Sequence, residues 1–103
     1  MKCTMLKLEL IDGSEVDLTL NFARLLKVKN HNKKLYEEFM NSLKNKDFDP
    51  IFDSIKILYV AYLCGQSADL ENAMDEMEFM ENVEMDMEVI NTLVAELIQG
   101  KKK

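Results

Sequence analysis

Hydrophobic and polar residues alternate near the start of the chain, with Leu6, Leu8 and Leu10 on one side and Lys7 and Glu9 on the other. A period of two is that of a strand with one face on a core. Asp12-Gly13-Ser14 interrupts the pattern with a turn sequence, and Val16, Leu18 and Leu20 resume it, which predicts a β-hairpin over residues 4–20. Two strands alone are marginal in water, so their leucine face must rest on helices.

From Asn21 the period becomes helical. Asn21 has the chemistry of an N-cap, and the short helix it opens, through residue 28, is expected to bury Phe22, Leu25 and either Leu26 or Val28. The polar run Lys29-Asn30-His31-Asn32-Lys33 is expected to break or bend the chain, leaving His31 a solvated loop residue. A second helix then follows over about residues 33–45, with Leu35, Phe39, Met40 and Leu43 at core spacing.

The longest apolar stretch occupies residues 49–65. Asp49 and Pro50 suit a helix start, and Gly65 suits a left-handed C′ end. Between them only Asp53 and Lys56 are charged, at a spacing that allows them to pair. Ile51, Phe52, Ile55, Leu58, Tyr59, Tyr62 and Leu63 form a wide stripe, and Ile57, Val60, Ala61 and Cys64 make much of the remainder apolar. A helix apolar nearly all round belongs in the middle of a domain. The run is shorter than the roughly 20 residues that a bilayer core requires, which argues against a membrane span. About residues 50–64 are therefore predicted to be the central helix, with Phe52, Ile55, Leu58, Tyr59, Tyr62 and Leu63 as the core.

Beyond it, Ser67 is an N-cap candidate with Asp69 and Glu71 in the first turn, where negative charge favours a helix. Leu70, Ala73, Met74, Met77 and Met80 make one stripe, and Phe79 lies off it, so either the helix ends near Phe79 or that ring is exposed. Residues 83–87 alternate; an extended connector is expected, with a strand as the alternative. Val89, Ile90, Leu93, Val94, Leu97 and Ile98 predict a last helix over about residues 86–99, closed by Gly100. The predicted fold is α+β, mainly α: a single domain over 1–103, with a hairpin at 4–20, four or five packed helices within 21–99, and a short lysine tail at 101–103.

Composition narrows the chemistry. At 103 residues and 48% hydrophobic, one domain can build a core without metal or disulfide staples. No signal-peptide pattern opens the chain, and Cys3 and Cys64 are the only cysteines. Both are expected to be reduced thiols, which points to the cytoplasm. The net charge of −6 conceals an asymmetry: residues 1–34 hold seven Lys/Arg against four Asp/Glu, whereas residues 67–100 hold ten acids and no Lys or Arg. Phosphate binding needs clustered basic residues, so the C-terminal half is not expected to bind nucleic acid. It suits a basic protein partner, and equally a solvated acidic face.

No enzyme class leaves a trace. A single histidine among asparagines and lysines has no triad partner, and the three glycines, Gly13, Gly65 and Gly100, are all explained by a turn or a helix end. The acidic tract lacks the ligand spacing and glycine of a calcium loop. No cofactor and no metal are expected. Methionine is what stands out: five of the eight, Met74, Met77, Met80, Met85 and Met87, crowd the acidic span. They either pack on the central helix or line a groove, rimmed by Glu71, Glu78, Glu81 and Glu84, for an amphipathic basic helix of another protein. Exposed apolar area and hairpin edges also suggest homo-oligomers.

The order of these features resembles the phage tail assembly chaperones of Gram-positive siphophages and prophages. The resemblance lies in the hairpin with its Asp12-Gly13-Ser14 turn, a helix opening with an aromatic (Phe22-Ala-Arg-Leu-Leu), a central Leu58-Tyr-Val-Ala-Tyr-Leu63 segment, and acidic helices over 67–100. It implies a non-enzymatic protein that coats the helical tape measure protein and helps to recruit tail tube subunits, in the cytoplasm of the bacterial host cell. The runner-up is an acidic inhibitor or DNA mimic that blocks a basic nucleic-acid-binding partner; a third possibility is a generic structural subunit.

Overall fold

The computed structural model describes residues 6–44 and 49–99. Expectations for Thr4, Cys3, Asn45, Gly100 and the lysine tail lie outside the described residues. The element order is β1 (Leu6–Glu9), β2 (Glu15–Leu18), α1 (Phe22–His31), α2 (Lys33–Lys44), α3 (Phe52–Gly65), a 3₁₀ turn (Leu70–Asn72), α4 (Glu76–Asn82) and α5 (Met87–Gln99). This is the mainly helical α+β fold expected.

The hairpin is antiparallel, with Leu6 opposite Leu18 and Leu8 opposite Val16. Lys7 and Asp17 face each other on the outer side at 2.6 Å. Gly13 takes φ +91°, which the turn requires, and the Asp12 carboxylate accepts hydrogen bonds from the Ser14 N–H and hydroxyl. The inner face, Leu8, Leu10 and Leu18, is buried. It lies on α3 so closely that the Thr19 N–H donates to the Ala61 carbonyl at 3.2 Å.

Asn21 caps α1 by accepting from the Arg24 N–H at 2.9 Å. The helix runs through Lys29, Asn30 and His31, so His31 is solvated but helical rather than in a loop. The break falls on one residue. The Asn32 N–H donates to the Val28 carbonyl, ending α1, while the Asn32 side chain accepts from the Leu35 N–H, opening α2. Val28, Leu35 and Phe39 are buried. Leu26 and Leu43 are exposed, and Phe22 is 90% exposed, against the expectation that it packs inward. Leu25 packs partly buried against the core and Val28 lies within it, whereas Phe22, the first residue of α1, is left uncovered.

Helix α3 is the centre, touching β2, α1, α2, α4 and α5. The Asp49 carboxylate accepts from the Ile51 and Phe52 N–H groups, as expected of a cap. Leu58, Tyr59, Tyr62 and Leu63 are buried, Ile55 is half-buried, and Ile57, Val60, Ala61 and Cys64 are buried as well. Phe52 is the exception among the expected core residues, at 65% exposure, because the first turn of α3 extends beyond the elements that cover its middle. Asp53 and Lys56 do not pair. Asp53 accepts instead from the Ser42 hydroxyl and the Asp49 N–H, and Lys56 turns to Glu38 and Glu76.

Gly65 ends α3 for a reason other than left-handed geometry, since among the described residues Gly13 alone has positive φ. A Cβ on Gly65 would overlap the Asp17 carbonyl, so glycine is what lets β2 approach the helix. Arg24 then completes this end, donating to the Cys64 carbonyl at 2.9 Å where unpaired helical carbonyls favour a cation.

The continuous acidic helix expected after residue 67 is absent. The chain makes a 3₁₀ turn, extends at Ala73 and restarts at Asp75, whose carboxylate accepts from the Glu78 N–H at 2.8 Å. Residues 83–86 form the connector, with no strand, and α5 packs Ile90, Val94 and Leu97 on α3 while Val89 and Ile98 stay exposed. Among the described residues no helix is long and apolar enough to cross a membrane.

Candidate functional site

The break in the acidic segment follows from two tyrosines. Tyr59 donates its hydroxyl hydrogen to the Met74 carbonyl at 2.8 Å, and the Tyr62 hydroxyl accepts from the Met74 N–H at 2.9 Å. Both backbone groups that a helix through Met74 would use are thus taken by α3. One helical turn after the restart, Phe79 enters the space this leaves, fully buried, with ring centroids 5.4 Å from Tyr59 and 5.2 Å from Tyr62. Lys56 reinforces the attachment, its ammonium 2.7 Å from Glu38 on α2 and 2.8 Å from Glu76 on α4. Burial pulls the Lys56 pKa down, but its hydrogen bonds with the two carboxylates outweigh burial and hold it above the ordinary value. Hydrogen bonding to Lys56 in turn holds Glu38 below the usual carboxylate range.

With α4 fixed by Phe79, the five methionines of the acidic span separate into two groups. Met74 and Met87 pack against the core, Met74 also receiving an N–H contact on its sulfur from Asn82 at 3.7 Å. Met80 is half-buried. Met77 is 63% exposed on α4, and Met85 is 75% exposed on the connector. Glu71, Glu78, Glu81 and Glu84 are all exposed. The outward-facing set is therefore Met77 and Met85 with Glu78, Glu81 and Glu84 between them in the chain. Glu84 also lines a cleft of about 410 Å³ with Glu9, Leu10 and Ile11, where the Ile11 N–H donates to the Asn82 carbonyl at 2.9 Å.

No family model, curated protein or solved structure matches this chain. Its chemistry is read from its own residues.

Cys64 is buried and free. Burial pushes its thiol up to about 11, against the opposing pull of Arg24, so little thiolate exists at neutral pH to act as a nucleophile. Burial also pushes the Tyr59 phenol up to about 12, helped by the charges of Glu76 and Asp75. Among the described residues no three His, Cys, Asp or Glu side chains gather as metal ligands would. Met77 and Met85 expose apolar area in a segment, residues 67–100, whose charged side chains are all acidic.

The buried hydroxyl and thiol carry a pH prediction. Both folded pKa values lie above the ordinary values of 9.0 for Cys64 and 10.0 for Tyr59. Their contribution to stability is complete below those values and lost as pH rises through about 11 and about 12. Lys56, also raised, adds loss in the same direction above 10.5. The melting temperature is expected to hold from neutral pH to about 9 and then to fall steeply toward 12. A melting temperature flat across that window would contradict the burial described.

Phe79 was the residue least visible to sequence reasoning, although a signal existed. Asp75 followed three positions later by Glu78 is a helix-start pattern, and it places Phe79 one turn into a new helix.

Proposed function

We propose that this chain is a non-enzymatic, protein-binding chaperone of the phage tail assembly type, acting in the cytoplasm of a bacterial host cell. In this reading its acidic, methionine-bearing surface receives amphipathic basic helices, such as those of a tape measure protein, and keeps them soluble until assembly. One observation supports it most: Met77 and Met85 stand exposed with Glu78, Glu81 and Glu84, in a segment that has no Lys or Arg from residue 67 to residue 100. Unbranched, polarizable side chains give contact area tolerant of varied apolar partners, and a rim of one charge speeds encounter with basic ones. The order of hairpin, central apolar helix and acidic helices, like that of the tail assembly chaperones, supports the finer assignment.

The test is titration with synthetic helices. A leucine–lysine amphipathic peptide is expected to bind, its leucine–glutamate counterpart is not, and an alanine–lysine peptide of equal charge is expected to bind much more weakly. Equal binding of the leucine–lysine and alanine–lysine peptides, with affinity collapsing as salt screens the charges, would favour the DNA-mimic reading instead. Binding of none of them would remove the proposal.

A further inference from the structure

The hairpin has two edges, and one of them is open. β2 is the strand that lies along α3, where the Thr19 N–H donates to Ala61, so β1 is the outer strand. Its backbone groups alternate in direction. Leu10 points at the partner strand, its N–H donating to the Ser14 carbonyl at 2.7 Å, and the register repeats that direction at Leu8 and Leu6. The N–H and C=O groups of Lys7 and Glu9 therefore point outward, and among the described residues no strand pairs with them. Ile11 continues this outward row just past β1, and the molecule already uses it: its N–H donates to the Asn82 carbonyl at 2.9 Å, where the chain leaves α4 and extends at Val83. No further backbone bond joins the connector to β1 among the described residues, and the cleft of about 410 Å³ between Glu9, Leu10, Ile11 and Glu84 lies beside the next outward position. Edges are commonly guarded by a lysine, but the Lys7 ammonium is drawn across the hairpin to Asp17 at 2.6 Å. What remains beside the edge is acidic. Glu9 faces Glu15 across the ladder, both exposed, and like charges in that position cost stability. Among the described residues neither of them, nor Glu84, makes a salt bridge.

We propose that the outer edge of β1 takes up an extended, basic segment of a partner protein as a third strand, with a Lys or Arg of that segment lodged between Glu9 and Glu84. The incoming backbone satisfies the outward groups of Lys7 and Glu9, which supplies affinity, and its alternate side chains supply selectivity. The aliphatic stem of the incoming Lys or Arg lies against Leu10 and Ile11 in the cleft, and its charged head reaches the two carboxylates. Charge complementarity selects this occupant over a second copy of the chain. From residue 6 to residue 18 the hairpin holds one Lys and no Arg, and Asp17 already engages it. The site is independent of Met77 and Met85: it takes a strand by its backbone, not a helix by its apolar face.

The experiment is titration of the full chain with an alternating valine–lysine peptide, which favours extended backbone, while amide hydrogen exchange is followed by NMR. The Lys7 and Glu9 amides should exchange freely in the unbound protein and slow by about tenfold or more at saturation. The Leu8 amide, already bonded inside the hairpin, should change little. The valine–glutamate counterpart should not bind, and the helical leucine–lysine peptide should leave the Lys7 and Glu9 exchange rates as they were. Glu9→Lys should melt at or above the parent, because it replaces the opposition to Glu15 by an attraction, yet bind the valine–lysine peptide about five- to tenfold more weakly. Glu84→Gln, also at an exposed position, should fold normally and lose about two- to fivefold in affinity. Binding of the valine–lysine peptide without protection of Lys7 and Glu9 would overturn the proposal, as would equal affinity for the valine–glutamate peptide or no binding at millimolar peptide. Protection of those two amides that grows with protein concentration alone would give the edge to a second copy and would overturn it as well.

Discussion

Phe79→Ala is expected to destabilise the protein by about 3–5 kcal/mol, the range for emptying a buried aromatic site. The ring is wholly buried between Tyr59 and Tyr62, and it is the one fully buried side chain of α4. Aromatic pairs at these distances add about 0.5–1.5 kcal/mol each beyond area burial. The attachment of α4 otherwise rests on Lys56–Glu76, the part-buried bonds at Met74 and the Ile11–Asn82 contact. Removal of the ring is therefore expected to loosen α4 before the rest of the fold. Two measurements check this. Denaturant melts should show the loss, and spectrophotometric titration should show the Tyr59 phenol moving from about 12 back toward 10.0 as water reaches it. A loss below about 1 kcal/mol with an unmoved phenol would mean that the ring is not what holds α4.

Leu58→Ala should cost about 2–5 kcal/mol, by lost transfer energy plus the cavity left behind. Leu58 is fully buried in the middle of α3, where neighbouring elements pack on several sides and collapse around a void is hindered. Unlike loss of Phe79, this change should lower the stability of the whole domain in one transition, read equally by far-ultraviolet dichroism and tyrosine fluorescence. A loss under about 1 kcal/mol would place the core elsewhere.

Local chemistry was legible in the sequence, and long-range chemistry was not. The hairpin, the Asn21 cap and the Asp49 cap each depend on residues within a few positions of one another, and each formed as expected. The central helix was legible as an element, but a helix apolar on all sides does not disclose which residues lie beyond its cover, hence the exposed Phe52. The methionine stripe failed for a physical reason. Its period favoured one helix through Met74, yet the Tyr59 and Tyr62 hydroxyls, remote in sequence, took that residue's backbone hydrogen bonds and ended it. Phe79, off the stripe, then became an anchor. Of the site residues expected at the acidic surface, Met77 and Met85 face solvent, as do Glu71, Glu78, Glu81 and Glu84, while Met74 and Met87 pack partly buried against the core and Met80 is half-buried. Gly65 was marked correctly as a helix end, but the nearby Asp17 backbone that demands it is some fifty positions away and left no local trace.

The proposed binding of helices at the acidic, methionine-bearing segment of α4 and its connector depends on the exposed Met77 and Met85. It is tested most directly by titrating the leucine–lysine peptide into parent protein and into Met77→Ser/Met85→Ser, with a thermal melt of each. The account predicts affinity lower by about tenfold or more in the variant, with a melting temperature within about 2 °C of the parent, because both side chains are exposed and do not support the core. A folded variant that binds the peptide as tightly as the parent would contradict it.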